Sequence, residues 1–298
     1  MAKRRATTLT TLFLILGLVL TAFGQDAFSQ GQKSFLWRVR SKTSTLYLLG
    51  SIHILRKENY PLGEKIENAF NQSGVLGVEA NITDTGKMDL QRMTEMAVYP
   101  ENDSLEKHIS KETYELVKKE AGSLGISLQL LDRQKPWFLA TALASLELLK
   151  LGYDPNSGVD MYFLSKSKGK KIVELENLQD QFNLLSGLSD VDQELFLLYT
   201  VKDLDILGKE MDRLISAWTS GDTRAVESIM MKSVNEDKRL SSIYEKLIYG
   251  RNRRMASKIE DLLKTRDTCF VIVGAGHLVG EKGIPEILKE KGHLVEQQ

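Results

Sequence analysis

The chain has 298 residues, 42% of them hydrophobic, enough to bury a sizeable core as one large domain or two small ones. Lys plus Arg and Asp plus Glu both number 40, and no long basic run carries interleaved aromatics, which argues against a nucleic-acid partner. The single cysteine, Cys269, excludes an intramolecular disulfide and a cysteine-rich zinc site.

Lys3, Arg4 and Arg5 precede an apolar run over 9–23, and small residues follow at signal-peptidase spacing in Ala22-Phe23-Gly24 and Ala27-Phe28-Ser29. Residues 1–29 therefore read as a secretory signal peptide. That predicts an exported protein, periplasmic or extracellular, with a mature domain over 30–298. The run is short for a membrane span, which needs about 20 apolar residues. Any membrane contact would come through this segment left uncleaved.

Two strands at 34–40 and 44–49, joined by Ser41-Lys42-Thr43, predict a hairpin. Pro61 followed by Leu62, Ile66 and Phe70 predicts a helix over 61–70. A third strand at 74–80 carries Glu79 at its carboxyl end. Residues 84–132 turn helical and polar, with Ser110 as an N-cap. The stretch 136–149 is a nearly all-apolar helix, expected to be buried all round, and Gly152 ends it. Ser157-Gly158-Val159-Asp160 opens a helix through Phe163 and Leu164. A fourth strand at 171–176 again ends in acid. Helical sequence fills 178–218 and 243–263, the second block carrying Arg251-Asn252. Cys269 to Val273 is a strand buried on both faces, broken by Gly274-Ala275-Gly276. A helix over 284–291 and a strand over 293–296 complete the chain. The fold class is α/β, of mixed character: a central mixed sheet with flanking helices and a large helical insertion over about 84–268.

The chemistry-bearing residues gather at strand ends. Gly50-Ser51-Ile52-His53 and Gly274-Ala275-Gly276-His277 each place Gly-x-x-His after an apolar strand, and they account for two of the four histidines. If the strands are parallel neighbours, His53, Glu79, Glu176 and His277 converge at one sheet edge, where ligands bind in open α/β folds. Two imidazoles with one or two carboxylates suit a divalent transition metal with an open position, and a spare carboxylate suits a general base. Read singly, each His is more often a hydrogen-bonded turn residue, and each Glu a solvated strand end. His108 and His293 read as surface residues. Gly274-x-Gly276-x-x-x-Gly280 has the wrong third spacing for a dinucleotide loop, and no Gly-x-Ser-x-Gly occurs.

Taken together, Gly50-Ser-Ile-His53, Val78-Glu79, Gly158-Val-Asp160, Leu175-Glu176 with Gln181, Arg251-Asn252 and Gly274-Ala-Gly-His-Leu278 resemble the TraB/GumN family, which includes the Tiki proteins. The resemblance runs from about Phe35 to Glu296. It implies an α/β fold related to erythromycin-esterase-like and haem-binding ChaN-like proteins, and a metal-dependent peptidase activity. It further implies His53 and His277 as metal ligands, and Glu79 as ligand or base, with Glu176, Asp160 and Arg251 supporting. In a hydrolase, Arg251 would orient a carboxylate or steady an oxyanion. Asn81 departs from the acid that many relatives carry there.

The leading expectation is an exported hydrolase of peptides or proteins that uses Mn, Co or Zn, with Glu79, Glu176 and Arg251 in catalytic roles. Two alternatives stand beside it. One is a module that holds metal or haem without turnover. The other is an interaction protein with a relict site.

Overall fold

A computed structural model describes residues 33–84 and 89–298. The 1–29 segment lies outside the described residues, and among those residues no helix is long and apolar enough to cross a membrane.

The strands are β1 (Leu36–Arg40), β2 (Thr45–Ser51), β3 (Val75–Val78), β4 (Lys171–Glu174), β5 (Cys269–Gly274) and β6 (Leu294–Gln297). They form one sheet in the order β4-β3-β5-β2-β1-β6. β4, β3, β5 and β2 run parallel, while β1 is antiparallel to β2 and to β6. β5 therefore fills the space between β2 and β3, pairing Leu46 with Cys269 on one side and Val75 with Cys269 on the other. Residues Cys269 to Val273 are at most 1% exposed. That burial explains the unbroken apolar run: a central parallel strand covered on both faces has no solvent side to alternate toward.

The helices follow in chain order. α1 (Glu64–Asn71) joins β2 to β3. α2 (Leu90–Ala97), α3 (Lys111–Ser123), α4 (Pro136–Lys150) and α5 (Val159–Ser165) separate β3 from β4. Six more lie between β4 and β5: α6 (Leu178–Ser186), α7 (Asp190–Asp203), α8 (Leu207–Thr219), α9 (Thr223–Glu236), α10 (Ser241–Tyr244) and α11 (Gly250–Leu263). α12 (Ile284–Glu290) precedes β6. Side-chain caps set several starts: Ser110 accepts from the Thr113 N–H, Asn177 from Asp180, Ser189 from Asp192 and Asp222 from Ala225. A five-residue π-helical turn at Glu245–Tyr249 joins α10 to α11. It widens the coil just before Arg251, in the manner of π-bulges near functional sites.

Several expectations change. β3 stops at Val78, so Glu79 lies just past the strand. The helix predicted from Pro61 begins at Glu64, capped by Gly63. β2 runs on to Ser51. β4 stops at Glu174, and Glu176 sits in the following turn, its N–H donating to the Glu79 carbonyl at 2.7 Å. α4 is not buried all round: Leu146 and Leu149 in its last turns are 40% and 49% exposed. The helical block also encloses β4, so residues 84–268 return to the sheet once on the way.

Close packing just past β2 depends on Gly158. A Cβ on Gly158 would overlap the His53 carbonyl, and the next residue, Val159, donates its N–H to the Ile52 carbonyl at 3.0 Å. Gly158→Ala is expected to destabilise the protein by at least about 1–3 kcal/mol, the usual cost of overpacking. Gly122→Ala, where nothing lies within 4 Å of the added Cβ, is expected to be neutral or to stabilise by up to about 1 kcal/mol. Urea unfolding of the two variants beside wild type measures both.

Candidate active site

The four parallel strands end at one edge, and each delivers a polar side chain there. Across the sheet from β4 to β2 the order is Glu176, Glu79, His277 and His53. The convergence expected from strand-end placement is therefore what the fold produces, because parallel neighbours share a carboxyl edge.

Glu79 is the hub. Its Oε1 accepts the Gly274 N–H at 2.5 Å and lies 3.7 Å from His277 Nε2. Its Oε2 pairs with Arg251 Nη2 and accepts from Gln181 Nε2 at 3.3 Å. Arg251 also donates from Nε to Glu176 Oε2 at 2.8 Å, so one buried guanidinium joins the ends of β3 and β4. Burial alone would raise the Glu79 pKa. Arg251, the two histidines and the Gly274 N–H reverse this and hold the carboxyl well below its usual range. Arg251 gains in turn: the two carboxylates outweigh its own desolvation and raise its pKa.

The two imidazoles are anchored alike but by different groups. His53 Nδ1 pairs with Asp160 Oδ2, and Ser51 Oγ donates to Asp160 Oδ1 at 3.3 Å. His277 Nδ1 lies 2.6 Å from Asn252 Oδ1, while Asn252 Nδ2 donates to the Lys282 carbonyl at 2.8 Å. That second bond fixes the amide, so its oxygen faces the ring and His277 carries its proton on Nδ1. In the neutral form each ring thus keeps Nε2 as a lone pair. His53 Nε2 and His277 Cδ2 both lie 3.5 Å from the position a Cβ on Gly274 would take. They are at most about twice that distance apart, so the two rings share one site. Only a residue without Cβ leaves this space open.

Their charges differ. Burial disfavours the His53 cation, but the Asp160 charge and hydrogen bond and the nearby Glu79 outweigh it and lift the pKa to about 9. Burial and the Arg251 charge push His277 down to about 3. His277 is 3% exposed, whereas the His53 ring is 30% exposed and faces a cavity of about 500 Å³. Glu79, Asp160 and Arg251 line that cavity beside it.

Each predicted site residue except Glu176 thus touches the site directly, and Glu176 reaches it through Arg251. Among the described residues no three His, Cys, Asp or Glu side chains form a group poised to hold a metal ion. The donors nonetheless have the right chemistry. Two imidazoles present unprotonated Nε2 atoms in the neutral form, each with Nδ1 held from behind, beside an ionised carboxylate. Gln181 and Asn252 belong to the family-like motif, but nothing in the sequence alone assigns either a role. The adjacent Arg-Asn pair was the available signal. Ser51 stands in the first Gly-x-x-His motif, likewise without a role legible from the sequence. Asn81 turns away, its Oδ1 accepting from the Thr83 N–H at 3.2 Å. His108 and His293 lie apart in half-buried pairs with Asp103 and Glu260.

A mixed α/β sheet with two anchored histidines and an ion-paired glutamate on its carboxyl edge defines the class. The chain belongs to the TraB/PrgY/gumN family, whose model matches residues 35–297. It is similar to the uncharacterized protein YbaP of Escherichia coli strain K12, at 26% identity covering 82% of this chain and 87% of that one. It is also similar to metalloprotease TIKI2 of Danio rerio, at 23% identity covering 88% of this chain and 60% of that one. The human metalloprotease TIKI1 is 20% identical over 88% of this chain and 61% of its own length. The chain thus spans about three fifths of those metalloproteases. No solved structure matches it.

The two histidines set opposite pH limbs in metal-free protein. Folded His53 keeps its proton up to about pH 9, while the unfolded chain releases it near 6.5, so stability falls as pH rises between these values. Folded His277 stays neutral down to about pH 3 while the unfolded chain protonates near 6.5, so stability also falls as pH drops through that window. His53→Gln should flatten the alkaline limb and leave the acid limb. Denaturation midpoints from pH 4 to 9 read this directly.

Proposed function

We propose that this chain is a metal-dependent hydrolase acting on peptide bonds, and that it works after export. The observation that carries the reading is the pair of imidazoles whose Nδ1 atoms are held by Asp160 and Asn252, with His277 Nε2 3.7 Å from Glu79 Oε1 and His53 Nε2 facing the same space above Gly274. The likeness to the TIKI metalloproteases supports the same class of reaction. The basic and apolar N-terminal segment supports export.

In this reading His53 and His277 would hold a divalent transition ion, Mn, Co or Zn, through Nε2, with Glu79 Oε1 as the third donor. When bound, such an ion polarises a carbonyl and lowers the pKa of a coordinated water. Asp160 and Asn252 fix the tautomers and aim the rings. Arg251 keeps Glu79 ionised, and Glu176 balances the remaining charge. Of the two roles open to Glu79, the ligand role fits better than the base. A carboxyl held well below its usual range by Arg251 is a weak proton acceptor near neutrality. Arg251 is committed to two carboxylates, which suits it to positioning Glu79 rather than to binding a free anion.

Metal content tests this. Wild-type protein loaded with Mn, Co or Zn and desalted should keep close to one ion per chain. His53→Ala and His277→Ala should lose it, and Asp160→Asn should weaken affinity by about 10–100-fold. Peptide-library turnover should follow metal content and vanish in Glu79→Gln. A wild type that holds no ion after loading would overturn the reading. Full metal retention without turnover, unchanged in Glu79→Gln, would favour a binding module.

A further inference from the structure

The cavity in front of His53 is built to select a side chain. Its floor is charged, and its walls are apolar. Ile82 follows β3, Leu149 lies in the last turn of α4, Met161 comes from α5, and Leu184 and Leu185 come from α6. Two of these are large apolar side chains left open among the described residues: Ile82 at 39% and Leu149 at 49%. Leu149 and Leu146 are the large apolar side chains of α4 left exposed, and of the two Leu149 lines the cavity. Ile82 stands three residues beyond Glu79, so the apolar surface adjoins the reacting groups.

The floor narrows the ligand further. Arg251 is paired with Glu79 and Glu176, and His53 with Asp160. No lining cation is left to receive a phosphate or a free carboxylate, because the lining charges are matched in pairs. Two amides, Gln181 and Asn156, also line the space and match the donors and acceptors of a peptide backbone. At about 500 Å³ the cavity falls within the usual ~300–1,000 Å³ of ligand pockets.

We infer that this cavity is a specificity pocket for a peptide carrying a bulky uncharged apolar side chain, such as Leu, Met or Phe, next to the bond presented to His53 and Glu79. Leu149 and Leu184 are its selecting walls, and acidic side chains are excluded because the apolar walls would desolvate a charge that no unpaired lining cation receives. This rests on the peptidase reading, and it specifies the substrate that reading leaves open.

The test uses binding, so it does not depend on turnover. Metal-free wild-type protein is titrated into fluorescein-labelled blocked hexapeptides that differ at one central position: Leu, Phe, Ala, Lys or Asp. The Leu and Phe peptides should bind at least about tenfold tighter than the Asp peptide, since each lost methylene or misplaced charge in an apolar pocket costs severalfold or more. Leu149→Asp, at an exposed position, should bring that ratio close to one with unchanged thermal unfolding, and Leu184→Ser, which also packs on the core, should do the same at a temperature where its unfolding curve shows it folded. Equal binding of all peptides, no binding, or the same ranking in both variants would overturn the inference. Equally tight binding of an octanoyl amide lacking peptide bonds would overturn it too, by assigning the pocket to acyl chains. Metal content, measured separately, judges the hydrolase reading on its own.

Discussion

Arg251 is the interaction on which the edge of this sheet depends. A guanidinium 6% exposed sits between Glu79 at the end of β3 and Glu176 beyond β4. Removing one member of such a buried set leaves an uncompensated charge, typically at a cost of about 3–5 kcal/mol. The ion pairs therefore lock strand ends, helix α11 and the turn after β4 into one arrangement. The next residue, Asn252, reaches His277. Consecutive helical residues point about 100° apart, so a single turn of α11 serves both halves of the site. The π turn at Glu245–Tyr249 sets the phase of that turn.

The same guanidinium divides the histidines. His277 lies deep, beside the positive charge, with a neutral amide behind it, and it stays uncharged. His53 lies at the cavity, with a carboxylate behind it, and it holds a proton. Identical Gly-x-x-His contexts thus end in different electrostatic environments. Below about pH 9, two neutral imidazoles would require a bound cation in place of the His53 proton, which would couple occupancy of the site to pH.

Much of the site could be read from the chain. The apolar runs of β2, β3 and β5, each closed by a polar residue, marked strand ends, and the paired Gly-x-x-His units singled out two of four histidines. Less legible were the contributions that act through another residue. Asn252 lies one residue from Arg251, yet its role appears only when Lys282 is seen to fix its amide. Ser51 and the Gly274 N–H likewise bear on the site only through Asp160 and Glu79. The exposed leucines of α4 broke the sequence pattern, because periodicity says which faces are apolar and not what covers them.

The sequence by itself determined the elements, the buried character of β5 and the residue types available for chemistry, because these depend on local pattern and composition. Only the tertiary structure decided that β5 enters between β2 and β3, and with it which side chains meet. That placement joins residues more than two hundred positions apart. Their pairing energies, charges and exposure are properties of the assembled edge, and no window of the chain contains them.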